Sequence, residues 1–154
     1  MKFFSKKTIL FIFCIYSIFF LAGGVLAPIF AHFKLFEISG KLSATYMFSC
    51  HQNPSRSFWI LNYPMALCCR CLGFYLGVAV SSLIILIKSR EISFRKFIIL
   101  FFIVFTDIML NYLYKLNTGN YTRFLTGIIM GFLFTAFICF AYRLKRRKKC
   151  FLKN

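Results

Sequence analysis

Residues Thr8–Ala31 read TILFIFCIYSIFFLAGGVLAPIFA, a run without a single charged side chain. A helix rises about 1.5 Å per residue, and about 20 apolar residues cross the roughly 30 Å hydrocarbon core of a bilayer. Lys2, Lys6 and Lys7 precede the run. A secretory signal has the same basic start, but its apolar region is only about 7–15 residues long. The run therefore reads as an uncleaved first span, with cleavage after Val25-Leu26-Ala27 as the alternative.

The remaining sequence follows the same plan. Hydrophobic residues make up 60% of the 154, and the mean hydropathy is +0.77. Soluble domains average about 45–50% apolar residues and break their apolar stretches with charge. Here the charges fall in short blocks between three further apolar segments, at about 64–87, 97–114 and 121–142. The expectation is an all-α, four-helix transmembrane bundle forming a single membrane domain over 1–154. An extracytoplasmic loop would join the first and second spans, and 143–154 would be a basic tail. Within the loop, Leu42–Phe48 suits a short interfacial helix and Asn53-Pro54-Ser55 a turn, because Pro presets φ and Asn bonds its own backbone. Pro64 suits the first position of the second helix, where its missing N–H costs nothing.

Twenty Lys and Arg stand against three Asp and Glu, a formal net charge of +17. In a soluble protein that excess would point to nucleic acid. Here the basic residues flank the apolar segments, so no nucleic-acid partner is expected, and the bilayer is the partner implied. The N-terminus, the second connection and the tail carry 14 of them; the opposite side carries Lys34, Lys41, Arg56, Arg70, Lys115 and Arg123. By the positive-inside rule both termini are cytoplasmic, in the plasma membrane. The tail Arg143-Leu144-Lys145-Arg146-Arg147-Lys148-Lys149 then meets anionic inner-leaflet lipids.

One outward segment is chemically different. Cys50-His51 is followed after sixteen residues by Cys68-x-x-Cys71. These four supply soft ligands, and a Cys-x-x-Cys pair can bring two sulfurs to one ion. Zn²⁺ in structural sites takes four such N/S ligands. Two other readings stay open: thiol–disulfide exchange by Cys68 and Cys71, favoured by Arg70 and a helix N-terminus, and a disulfide that tethers the loop of a structural or accessory subunit. Cys14 and Cys139 sit within apolar helices as small hydrophobes, Cys150 in the tail is a weak lipidation candidate, and Cys69 and His32 carry no assigned role. Asp107 is the sole acid within a span, and an ionisable group there defaults to pairing or function. Asp107 falls about 10 Å below the outer end at 1.5 Å per residue, Arg70 at a similar depth, and Arg123 opens the fourth span from the same side, so the three share one layer. They form a support for the metal or an anion pocket, with Asp107 paired to Arg70 or to Arg123. Gly73-x-x-x-Gly77 and Gly127-x-x-x-Gly131 offer surfaces for close helix approach.

The pattern Cys50, His51, Gln52, then Arg56, Ser57, Phe58, then Cys68, Arg70, Cys71, Gly73, Tyr75, Gly77 resembles the signature of small prokaryotic membrane proteins known as domain of unknown function 2085. Asp107 and Arg123-x-x-Thr126-Gly127-x-x-x-Gly131 resemble its later part, although Ile108 stands where that family usually has Gly after the Asp. The resemblance runs from about Ala44 to Phe132. It implies a multi-pass membrane protein and supplies no biochemical activity.

Overall fold

The computed structural model describes residues 5–88, 94–113 and 119–151. Lys2, Arg90, Tyr114 and most of the 115–120 turn lie outside these residues, as do the side chains of Cys150 and of the tail from Arg146 onward. Five helices and one hairpin follow in order: α1 (Lys6–His32), α2 (Phe36–Tyr46), β1 (Ser57–Ile60), β2 (Tyr63–Cys68), α3 (Cys69–Lys88), α4 (Phe94–Leu113) and α5 (Asn120–Phe151). Three of the helices are long and apolar enough to cross a membrane: Lys6–His32, Cys69–Lys88 and Asn120–Lys145. In α4 the apolar stretch, Phe97–Asn111, is shorter.

The helix directions alternate. Cys14 Sγ donates to the Ala79 carbonyl and Leu10 packs with Ile85, so α1 runs antiparallel to α3. Along α3 and α5 the pairings advance together, from Gly73 against Phe124 to Gly77 against Ile128. Further on, Ser81 Oγ donates to Thr135 Oγ1 at 2.8 Å. The two helices are therefore parallel, and α4 returns between them in sequence. Their contact is backbone to backbone. A Cβ at Gly73, Gly77, Gly127 or Gly131 would strike, in turn, the carbonyl oxygen of Phe124, Ile128, Arg70 or Phe74. Small residues give this closeness in a bilayer, where the hydrophobic effect does not drive helices together.

At the other end of α1 the chain folds back on itself. Lys34, at φ 60, donates to Ala31 O, and Leu35 N donates to Phe30 O. This is a Schellman ending with Lys in the left-handed position that Gly usually takes. The reversal lays α2 antiparallel to α1. Ser39 Oγ donates to Ala27 O at 2.9 Å, and Tyr46 Oη donates to Phe20 O at 3.1 Å. The expected short helix at 42–48 is thus a longer one, Phe36–Tyr46, held by side chains that reach back to α1.

The all-α expectation needs one correction. Pro64 to Cys68, expected at the start of the second helix, is instead part of the second strand of a β-hairpin, with Trp59 opposite Pro64 and Ile60 opposite Tyr63. Its two-residue turn, Leu61-Asn62, has φ 51 and 66. Positive φ at both positions gives the twist that matches antiparallel strands, and Asn tolerates it well. Pro64 is accommodated because a two-stranded ribbon consists of edges alone, where a missing N–H is not needed. The second helix therefore begins at Cys69, and Cys68 is the last residue of a strand. A bare hairpin is marginal in water. This one leans on α1 through Leu67, which is fully buried and touches the place where a Gly24 Cβ would be. Ala27, Tyr46, Cys50, Ala66 and Leu67 form the core beneath it.

Candidate metal centre

The hairpin brings the cysteines together. Chain reversal after α2 is fixed by Cys50 N, which donates to Tyr46 O at 2.8 Å. Asn53 Oδ1 then accepts from Ser55 N at 3.0 Å, opening the one-turn 3₁₀ helix Pro54–Arg56, in keeping with the turn read at Asn53-Pro54-Ser55. The hairpin follows and returns Cys68 to Cys50, whose sulfur accepts the Cys68 backbone N–H at 3.1 Å. One residue into the register, α3 begins, and Cys68 Sγ lies 3.3 Å from Cys71 Sγ. The sulfurs of Cys50, Cys68 and Cys71 all lie within 4.8 Å of one another. All three are free thiols, with Cys50 buried and the other two half-buried.

That spacing suits a metal. Sulfurs bound at about 2.3 Å to one tetrahedral ion stand about 3.8 Å apart. The donor set is soft thiolate, the kind that selects Zn²⁺, Cu⁺ or iron–sulfur chemistry over hard cations. Charge is unevenly shared in the cluster. Hydrogen bonds from the Cys68 and Cys71 thiols hold Cys50 well below the usual thiol range. The hydrogen bond to Cys50 keeps the proton on Cys68, which is pushed up, and burial adds to the shift. His51 is exposed and stands outside the trio of sulfurs, but it borders the same cavity.

The cavity holds about 530 Å³ and is bordered by Cys68 and Cys71, by His51 and by three arginines, Arg56, Arg70 and Arg123. Arg70 Nη2 bonds Asp107 Oδ2 at 2.8 Å, joining α3 to α4. Asn111, one turn along α4, donates from Nδ2 to both the carbonyl and the carboxylate of Asp107, at 2.7 and 3.2 Å. Arg123 opens α5 and is 8% exposed. Arg56, Arg70 and Asp107 are among the charges that act on it. Residues from one loop and three helices thus converge at one end of the bundle.

The family of predicted membrane proteins designated DUF2085 matches residues 50–137, more than half of the chain. The chain belongs to this family. Uncharacterized protein MJ1492 of Methanocaldococcus jannaschii is 35% identical over 145 residues, covering 86% of this chain and 91% of that protein. No solved structure matches the chain significantly. The DUF2085 match begins at Cys50 and takes in Cys68, Arg70, Cys71 and Arg123, which border the cavity, and Asp107, which pairs with Arg70.

Of the sequence candidates, the fold gathers Cys50, Cys68 and Cys71 into one cluster, and Arg70, Asp107 and Arg123 beside it. Gly73, Gly77, Gly127 and Gly131 lie on the α3–α5 seam behind it. Two features of this DUF2085 protein were not singled out from sequence. Arg56 lines the cavity; its signal in the sequence was its place as one of six cations on the side poorer in Lys and Arg. Tyr75 lines it too, one turn below Cys71 on the same face of α3.

Proposed function

We propose that this protein is a four-span membrane protein whose outward-facing Cys50, Cys68 and Cys71 bind a soft metal ion such as Zn²⁺, with His51, which borders the same cavity, as the fourth ligand. The observation that carries the reading is the grouping of three sulfurs from residues 18 and 3 apart within 4.8 Å. Arg70, Asp107 and Arg123 support the centre, tying α3, α4 and α5 together around it. The alternation of helix directions supports a fourth crossing by α4. The distribution of Lys and Arg supports cytoplasmic termini in the plasma membrane, with the tail at the anionic inner leaflet. On this reading 1–154 is one membrane domain.

Metal analysis of the purified protein tests the centre. Wild type should carry about one equivalent per chain, and Cys68→Ser should lose it, because structural zinc needs its full ligand set. Absence of stoichiometric metal from wild type prepared without chelator would end the proposal.

A second reading has its own observation. The 3.3 Å between Cys68 Sγ and Cys71 Sγ is close enough for the pair to cycle between dithiol and disulfide with little movement, given a thiol or quinone partner. Thiol labelling with and without reductant separates the two. A redox pair gives different labelling at Cys68 and Cys71; identical labelling removes that reading.

A further inference from the structure

The cavity next to the sulfurs gathers arginines from three parts of the chain. Arg56, Arg70 and Arg123 border it, yet the whole sequence holds three acids, Glu37, Glu91 and Asp107. Among the described residues, Asp107 supplies a carboxylate to Arg70. Three guanidinium groups therefore face one cavity, with Arg123 8% exposed. The Nε of Arg70 is also buried with no hydrogen-bond partner, which leaves a donor to be satisfied.

We infer that this cavity binds the oxyanion of a phosphate ester between Arg56, Arg70 and Arg123. Guanidinium forks match phosphate oxygens in pairs, and several forks around one cavity suit a group with oxygens on every side. The volume of about 530 Å³ exceeds what a bare ion fills and falls among cavities that hold small organic ligands. Phe74, Tyr75 and Met130 also border it. Phe74 and Tyr75 lie one turn beyond Arg70 and Cys71 on α3, and Met130 two turns beyond Arg123 on α5. Since α3 and α5 run parallel, the charged ring forms one level and the apolar ring the next level down. An anionic head with an apolar substituent fits that order. Such a group comes from a lipid headgroup or from a soluble phosphate ester, and both present the same phosphate to the arginines. The inference stands on the arginines and the cavity, and it holds whether or not the cysteines carry metal.

Binding to the full-length protein in a zwitterionic detergent tests it, with inorganic phosphate and short-chain phosphatidic acid as the two probes. Zinc is assayed in the same preparations. At least one probe should bind saturably. Arg56→Gln and Arg123→Gln should each weaken it about tenfold or more, the loss expected for one charge-assisted contact, and Arg56→Lys should recover part of the loss. Arg56 lies on an exposed turn, so its variants keep the test sharp if Arg123→Gln fails to fold. Binding of phosphate as well as lipid identifies the head as the recognised part; binding of phosphatidic acid alone identifies a lipid. Failure of both probes to bind would overturn the inference. Unchanged affinity in both Gln variants would overturn it too, placing any binding on the basic tail. Zinc-free protein that binds phosphate would sink the metal reading and leave this one standing; zinc-loaded protein that binds neither probe would do the reverse.

Discussion

At the scale of single residues, the chemistry rests on three thiols that share one region of charge. Cys50 holds negative charge readily because Cys68 and Cys71 donate to it, whereas Cys68 keeps its proton above the usual thiol range. Metal ligation needs all three as thiolates, so uptake must expel the Cys68 proton, and affinity should fall as pH falls. A titration of apparent metal affinity between about pH 6 and 8 checks the sign; affinity that rises on acidification would contradict it. Asp107 has a different role. Asp107→Asn removes the charge opposite Arg70 and should cost about 3 kcal/mol, near the low end for a broken buried pair, because the Arg70 side chain stays 30% exposed. Thermal unfolding in detergent measures this. These residues were legible in the sequence because each is chemically out of place: cysteines beside a polar segment, one acid in an apolar helix. Arg56 was harder to assign, since one arginine in a polar loop has no period or spacing to mark it.

At the scale of elements, the α3–α5 seam and the β-hairpin decide where those residues stand. At Gly127 an added Cβ meets the Arg70 carbonyl and the Phe74 nitrogen, which are backbone atoms that cannot rotate away. Gly127→Ala should therefore destabilise by about 1–3 kcal/mol through forced separation of the helices. It should also disturb the cavity, since Arg70 is part of the contact. Gly40→Ala is the matched control: it lies in α2 with nothing near its Cβ position and should stabilise by about 0.5–1 kcal/mol through reduced backbone freedom. Comparing the two midpoints in one detergent checks both signs. The Gly-x-x-x-Gly spacings pointed to this seam, since four residues return to the same helix face. The hairpin could not be read with the same ease. Pro64 suits the first turn of a helix and an edge strand equally, and Leu61-Asn62 is not a turn pair that stands out. What settles the matter is tertiary: Leu67 and Ala66 bury against α1 as a strand, and Cys68 is turned back to Cys50.

At the scale of the whole molecule, the apolar runs were legible because a bilayer imposes a length on each one. The first, second and last appear as the helices Lys6–His32, Cys69–Lys88 and Asn120–Lys145, and the third as a helix with a shorter apolar stretch. The fold-back of α2 was not legible, because it depends on Tyr46 finding Phe20 and Gly23 across twenty or more residues. It has a consequence for the site. Tyr75 packs on Phe20 at 4.9 Å between ring centroids, twelve residues below the end of α1. Cys71, one turn above Tyr75, is then recessed about 12 Å from that end at 1.5 Å per residue, beneath α2 and the hairpin. The orientation proposed here predicts that a C-terminal alkaline phosphatase fusion is inactive and a fluorescent-protein fusion bright in a bacterial host; the opposite pattern would reverse the assignment.

The central claim is that Cys50, Cys68 and Cys71 hold one soft ion. X-ray absorption at the metal edge of the purified protein tests it most directly, because it counts sulfur neighbours. The account predicts three sulfur scatterers at about 2.3 Å and one lighter neighbour at about 2.0 Å for zinc, with the sulfur count falling in Cys50→Ser. A metal shell made only of nitrogen and oxygen would contradict it.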